Sequence, residues 1–274
     1  MDWIQGDKFK WLADFTYAPV EKQKDDYDHL SNFFDLSALK GGDVIYTHTM
    51  YVKQLFNCLS KLSGEFIVVT HNSDENIDET YNIPENVKHW FTTNVNCIHP
   101  KVTSIPIGLE NDRWFISTHK KEKMLNKMKQ CKTKRNLVYV NHNVCTNTKE
   151  RLKPYQLLTD KRWATIERGK NGCDFDNYLD NMYHHSFMIC PQGNGMDTHR
   201  TWEGLYMGTI PIEKINLNNQ YYLDLPICFV HDWEEITEEF LFAEYMRISQ
   251  VLWSKEKLNF TYWKNKIKNT RHQH

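Results

Sequence analysis

Arg200 and Glu203 stand three residues apart, and His199 lies four before Glu203, in the run Ile189-Cys190-Pro191-Gln192-Gly193-Asn194-Gly195-Met196-Asp197-Thr198-His199-Arg200-Thr201-Trp202-Glu203-Gly204. Spacings of three and four put these side chains on one face of a helix. Trp202, Leu205 and Tyr206 supply its apolar side. A guanidinium there can pair with phosphate, and a carboxylate one turn on can accept from ribose hydroxyls. Ahead of them, Gly193 and Gly195 let the backbone turn tightly and approach a ligand. The amides from Gly193 through Asn194 and Gly195 to Asp197, with the helix N-terminus, add donors suited to an anion. Asp197 or Thr198 is placed to cap the helix. Arg151, in Thr148-Lys149-Glu150-Arg151, offers a second positive charge. The chemistry of this set is the binding of a phosphorylated sugar or nucleotide. Its plain alternatives are a βα turn with a surface ion pair between Arg200 and Glu203, and a surface arginine at 151. A dinucleotide fingerprint would need glycine where Thr198 stands, and no Gly-Lys-Ser/Thr follows as a P-loop requires.

The elements that must position these residues follow from hydrophobic pattern. Phe187-Met188-Ile189-Cys190 is apolar on both faces, as in a buried parallel strand. Similar short runs occur at 43–46, 66–70, 87–92, 102–107, 136–140, 163–166, 209–212 and 226–230. Helical spacing is read at 51–62, 148–158, 175–183 and from 235 to about 268. Such alternation predicts βαβ units around parallel sheets. Residues 1–40 read as irregular and aromatic. The lysine-rich stretch from Lys120 to Arg135 reads as a solvated helix and linker. The expected division is 1–115, a basic linker at 116–135, 136–250, and a terminal helix at 251–274 packing back on the first domain. Ligands of such folds bind beyond the carboxyl ends of the strands, where Asn141, His48 and His71 also stand.

Composition narrows the function further. The 274 residues are 40% hydrophobic and 25% charged, enough for a packed core. A net charge of −1 argues against a general nucleic-acid binder. Seven cysteines, with no Cys-x-x-Cys, read as reduced structural thiols. His184-His185 lacks a partner motif for zinc. The start Met1-Asp2-Trp3-Ile4-Gln5-Gly6-Asp7 is not a basic segment followed by an apolar one, and no run approaches about 20 apolar residues. A cytoplasmic protein without a membrane span is the expectation.

The segment from Phe187 to Ile212, ending Gly208-Thr209-Ile210-Pro211-Ile212, resembles the donor-site segment of exostosin-like glycosyltransferases. Those enzymes carry an arginine and a glutamate on this helix, then a strand with an internal proline, and Arg200, Glu203 and Pro211 hold those positions. His99-Pro100-Lys101-Val102-Thr103-Ser104-Ile105-Pro106-Ile107-Gly108-Leu109-Glu110-Asn111 resembles the last strand of the amino-terminal half in bacterial and viral members. The resemblance implies an α/β chain of GT-B type: two Rossmann-like βαβ domains facing across a cleft, with the C-terminal helix closing back. It implies inverting transfer from a UDP-sugar, with xylose the first sugar to test, to a glycan hydroxyl, in the cytoplasm of a bacterium or of a virus's host.

Transfer needs a base for the acceptor proton, which the resemblance places in the first domain. Asp74 and His71, in His71-Asn72-Ser73-Asp74 after the strand at 66–70, rank slightly ahead of Asp14. His48, Glu110 and Asp112 are further candidates. Ordinary turn chemistry also accounts for Asn-Ser-Asp. Asp174-Phe175-Asp176 matches the Asp-x-Asp by which GT-A enzymes hold a metal. It precedes a predicted helix, where aspartates cap and complement the dipole, so no metal or other cofactor is expected. Trp90, Trp114 and the aromatics of 1–20 are acceptor candidates by position. The rival readings are a non-catalytic nucleotide-sugar or glycan-binding module, which would need no base, and an epimerase or hydrolase of the same fold.

Overall fold

A computed structural model describes residues 2–20, 36–112, 119–130, 133–167 and 174–272. Trp114, Cys131 and Cys173 lie outside that set. The chain divides into two units, one of Met1–Leu109 with Asn259–His274 and one of Glu110–Leu258.

In the first unit the chain start forms a short helix, α1 (Gly6–Leu12), and then β1 (Phe15–Tyr17), β2 (Val44–His48), α2 (Val52–Leu59), β3 (Phe66–His71), β4 (Val87–Thr92) and β5 (Val102–Ser104). The five strands are parallel and lie in the order β1-β2-β3-β4-β5. All six residues of β3 are buried, as expected of a parallel strand covered on both faces. The aromatic start of the chain is therefore not irregular throughout. A seven-residue helix and a three-residue strand are too short for periodicity to register. The monotonic order is a second departure from expectation: among the described strands this sheet has no reversal of the doubly wound kind.

The second unit contains α3 (His119–Met128), β6 (Asn136–Val140), α4 (Thr148–Leu158), β7 (Ala164–Ile166), α5 (Phe175–His184), β8 (His185–Ile189), α6 (His199–Met207), β9 (Ile210–Lys214), β10 (Cys228–Val230) and α7 (Glu238–Ser249). Its sheet is again parallel, in the order β10-β9-β8-β6-β7. From β6 the chain steps outward to β7 and then returns to β8 on the other side of β6. The loops after β6 and β8 thus part at a topological switch point, where doubly wound sheets open a crevice. Val138 and Val140 of β6, Phe187 and Ile189 of β8, and Ile212 of β9 share a core with Leu158 of α4 and Leu241 and Ile248 of α7. The stretch read as a basic linker is in part helix α3. Lys123 donates to Asp176 of α5 at 2.7 Å, Lys127 pairs with Asp180, and Met124 is buried.

The long terminal helix expected at 235–268 is two helices. Trp253 Nε1 donates to the Ile248 carbonyl at 2.8 Å, which satisfies the end of α7. A separate helix, α8 (Phe260–Thr270), belongs to the first unit. Phe260 N donates to the Asp2 carbonyl at 2.8 Å, and the Phe260 ring meets Phe9 of α1 edge-on at 5.0 Å. No helix among the described residues is long and apolar enough to cross a membrane.

Candidate functional site: a pair of unneutralised arginines

The second unit gathers its candidate residues at the switch point between β6 and β8. Asn147, the N-cap of α4, accepts from Glu150 N at 3.3 Å, and its amide donates to the Gly193 carbonyl at 2.7 Å. One side chain thus starts a helix and holds the glycine loop. Arg151, one turn into α4, donates from Nε to the Gln192 carbonyl at 2.8 Å and from Nη1 to the Asn143 carbonyl at 3.0 Å. It bridges the loop after β8 to the loop after β6. A Cβ on Gly193 would stand 2.8 Å from Arg151 Nη2. The glycine is needed for this close approach. Gly193 N donates to the Gly195 carbonyl at 3.0 Å, closing the loop on itself.

Arg151 is 7% exposed, and only carbonyl oxygens meet its guanidinium. Burial and the nearby Arg200 charge lower its pKa to about 10, so it remains a cation at neutral pH. Arg200 is half-buried, and its Nε is buried without a hydrogen-bond partner. Among the described residues no carboxylate pairs with either arginine. A buried charge without a counter-charge is costly, and two such charges close together favour an anion. The surface ion pair that offered the plain alternative is absent: Arg200 and Glu203, though one turn apart, are not in contact. Arg151 is likewise not a surface arginine.

The helix start carries the same sign. The N-cap of α6 is Thr198, and its side chain does not cap the helix, contrary to one of the two expectations. The Asp197 carboxylate accepts from Trp202 Nε1 at 2.9 Å and 3.1 Å, because the indole is buried and needs an acceptor. The start of this nine-residue helix carries the positive end of its dipole. Asn194 is exposed at the loop tip, and His199 is half-buried at the first turn. Glu203 accepts from the Tyr178 hydroxyl of α5 at 2.6 Å.

Three residues of this region escaped the sequence reading. In the sequence Tyr178 reads only as part of a helix pattern. His142, after β6, is buried; its Nε2–H donates to the Arg151 carbonyl at 2.9 Å and its Nδ1 has no partner. Burial brings its pKa down to about 4. Glu213 of β9 is held by the Thr201 hydroxyl and by Asn219 at 3.1 Å, and burial pushes its carboxyl up. Tyr178 meets Glu203 25 residues on, and His142 and Glu213 meet partners 6 to 12 residues away in other elements, so no helix or strand repeat marks them.

The first unit places its candidates differently. His71 is 1% exposed and stacks on Phe9 at 5.2 Å. Its Nε2–H donates to the Pro106 carbonyl at 3.0 Å, and its Nδ1 accepts from Asn72 N at 2.7 Å. Both ring nitrogens are therefore engaged. Asn72 sits at φ 60°, a conformation uncommon outside glycine, and its amide reaches Asp7 at 3.1 Å and the Tyr46 hydroxyl at 3.2 Å. A side chain at Gly6 would overlap this group. Asp14 accepts from Val44 N at 2.8 Å and pairs with Arg271, the C-cap of α8. Asp74 is exposed beyond β3, and His48 is half-buried at the end of β2. Trp90 is fully buried and donates to Thr70, so it serves the core. Asp112 pairs with Lys121 at 2.5 Å. Asp174 caps α5, accepting from Asp176 N at 3.2 Å, while Asp176 pairs with Lys123.

No protein-family model and no curated protein matches the chain. Among solved structures, a chain from the crystal structure of the GtfA/B complex is similar, with 13% identity and a TM-score of 0.43. The match covers 87% of this chain and 59% of that one, so this chain spans less than two thirds of its length. At that likeness it bears on neither substrate nor activity.

Proposed function

We propose that the protein is a glycosyltransferase that moves a sugar from a UDP-sugar, with xylose the first to test, to a glycan hydroxyl with inversion. The observation that carries this reading is the pair of arginines, Arg151 and Arg200, without a carboxylate partner among the described residues, at the switch point beside the start of α6. A diphosphate supplies the missing negative charge, held by Arg200 and by amides of the Gly193–Asp197 loop other than that of Gly193, which closes the loop. Arg151 sets that loop and adds to its field. The same charges stabilise the leaving nucleoside diphosphate as the glycosidic bond to it breaks, which is the electrostatic share of catalysis. They perform this role with no metal in the proposal. Glu203 takes the ribose hydroxyls. Asp74, exposed beyond β3 where His71 is buried and Asp14 half-buried, is the proposed proton acceptor.

The test is thermal stabilisation by a panel of nucleotides and nucleotide sugars with EDTA present. A ligand that binds only the folded state raises the melting temperature. A rise with UDP, and a larger one with a single UDP-sugar, is the expected result. No rise with any nucleotide overturns the donor reading.

A further inference from the structure

Glu203 is the one acid on the site face of α6, and the fold leaves it half occupied. Its Oε2 accepts from the Tyr178 hydroxyl at 2.6 Å, the length of a charge-assisted O–H···O⁻ bond. No donor among the described residues reaches Oε1. Arg200, one turn before it, does not pair with it. Tyr178 belongs to another helix, α5, and is itself fixed. Its ring lies 6.1 Å from those of Tyr139 and Phe175, and Asp174 caps the helix that carries it. Burial and the Glu203 charge keep the phenol protonated, so it acts as donor.

A glutamate has three rotatable bonds, and ordering them on binding costs affinity. A donor that orders the carboxylate before the ligand arrives removes that cost. It also takes lone pairs from one oxygen and leaves the other for the ligand. Two neighbouring hydroxyls, as on a ribose, suit such an acceptor, whereas a phosphate would be repelled.

We propose that Tyr178 is a positioning residue that holds Glu203 ready for the vicinal hydroxyls of the donor's ribose, and so gives the site its preference for a ribonucleotide over its 2′-deoxy form. The inference rests on the nucleotide reading of the site. Its test is calorimetric titration of UDP, 2′-deoxy-UDP and inorganic pyrophosphate into the wild-type protein, Glu203→Ala and Tyr178→Phe. Tyr178→Phe should weaken UDP about fivefold to tenfold, the worth of one hydrogen bond. It should bring UDP and 2′-deoxy-UDP close to equal affinity and leave pyrophosphate unchanged. Glu203→Asp, which draws the carboxylate back from Tyr178, should give the same loss of preference and serves if Tyr178→Phe does not fold. If Glu203→Ala loses the preference while Tyr178→Phe and Glu203→Asp keep it, the positioning role is overturned and the ribose role of Glu203 stands. If Glu203→Ala keeps the preference, the ribose role itself fails, and Tyr178 with it. If pyrophosphate weakens alongside UDP in Tyr178→Phe, the phenol supports the whole pocket and the specific role is overturned.

Discussion

The two units carry parallel sheets of the same size, yet their leading candidate residues meet different partners. In the first unit two of the three ranked residues serve the fold: His71 is bonded at both nitrogens, and Asp14, just before β1, is paired with Arg271. In the second unit, among the described residues, Arg151 and Arg200 have no carboxylate partner and one oxygen of Glu203 has no donor. A completed network supports the fold, whereas an incomplete one at a switch point is what the proposed donor site requires. The difference separates residues that look alike in sequence. Both units place histidine, aspartate and asparagine after strands, and only the partners tell structure from site.

The comparison breaks most sharply at Asp74. If it is the base, Asp74→Asn should lower transfer by about 10²–10⁴-fold while UDP affinity, measured by calorimetry, is unchanged. Full transfer in that variant would remove the first unit's only remaining candidate among the three ranked. Arg200→Ala comes next. Losing one member of a desolvated charge contact costs about 2–5 kcal/mol, and UDP and UDP-sugars should suffer alike. Because the Arg200 side chain makes no hydrogen bond or ion pair among the described residues, the melting temperature of the unliganded chain should hold or rise. Arg151→Ala should lower both affinity and melting temperature, since Arg151 also ties the two loops together.

A pH titration sharpens the same contrast. Folded, His142 takes a proton only near pH 4; in the unfolded chain its ordinary value is 6.5. Between those values the unfolded state binds more protons. The stability present above pH 6.5 therefore falls as the pH drops toward 4, by at most about 3 kcal/mol for this group. His89 of the first unit is shifted by burial to about 4 as well. His142→Gln should flatten part of the acid limb in melting curves taken from pH 7 to 4.5, and an unchanged slope would show that His142 is not desolvated as described.

Much of this was legible in the sequence, and the rest has identifiable physical reasons for being hidden. The strand at 66–70 is readable because a parallel strand buried on both faces is largely apolar, while those at 87–92 and 136–140 are readable from the apolar part of each, despite Lys88, His89 and Asn136. The helix of Arg200 was readable because its residues are neighbours in sequence as well as in space. Arg151 stood out as a charge after a strand, but its burial depends on Gln192 and Asn143, one of them 41 residues away. The closure of His71 required Pro106, 35 residues on. Caps also misled: Thr198 has the right residue type and position, yet its side chain does not cap the helix. Composition reports what a side chain can do, and only tertiary contact reports what it has already done.

The smallest expected effect concerns Asp174. Its Asp-x-Asp pattern admits two readings, a helix cap and a metal ligand, and the cap is the contact it makes. Removing an N-cap aspartate costs about 1 kcal/mol, or a few degrees in melting temperature for a unit of this size. Asp174→Ala should therefore melt slightly earlier and transfer sugar at the wild-type rate, with or without EDTA. The nearby pair of Asp176 with Lys123 is exposed and adds little, so Asp176→Asn should change neither quantity measurably. A variant at 174 that loses transfer, in a protein whose activity EDTA also abolishes, would move α5 from scaffold to site. It would then be the charge of the aspartates, and not only that of the arginines, that the donor's diphosphate answers to through a bound cation.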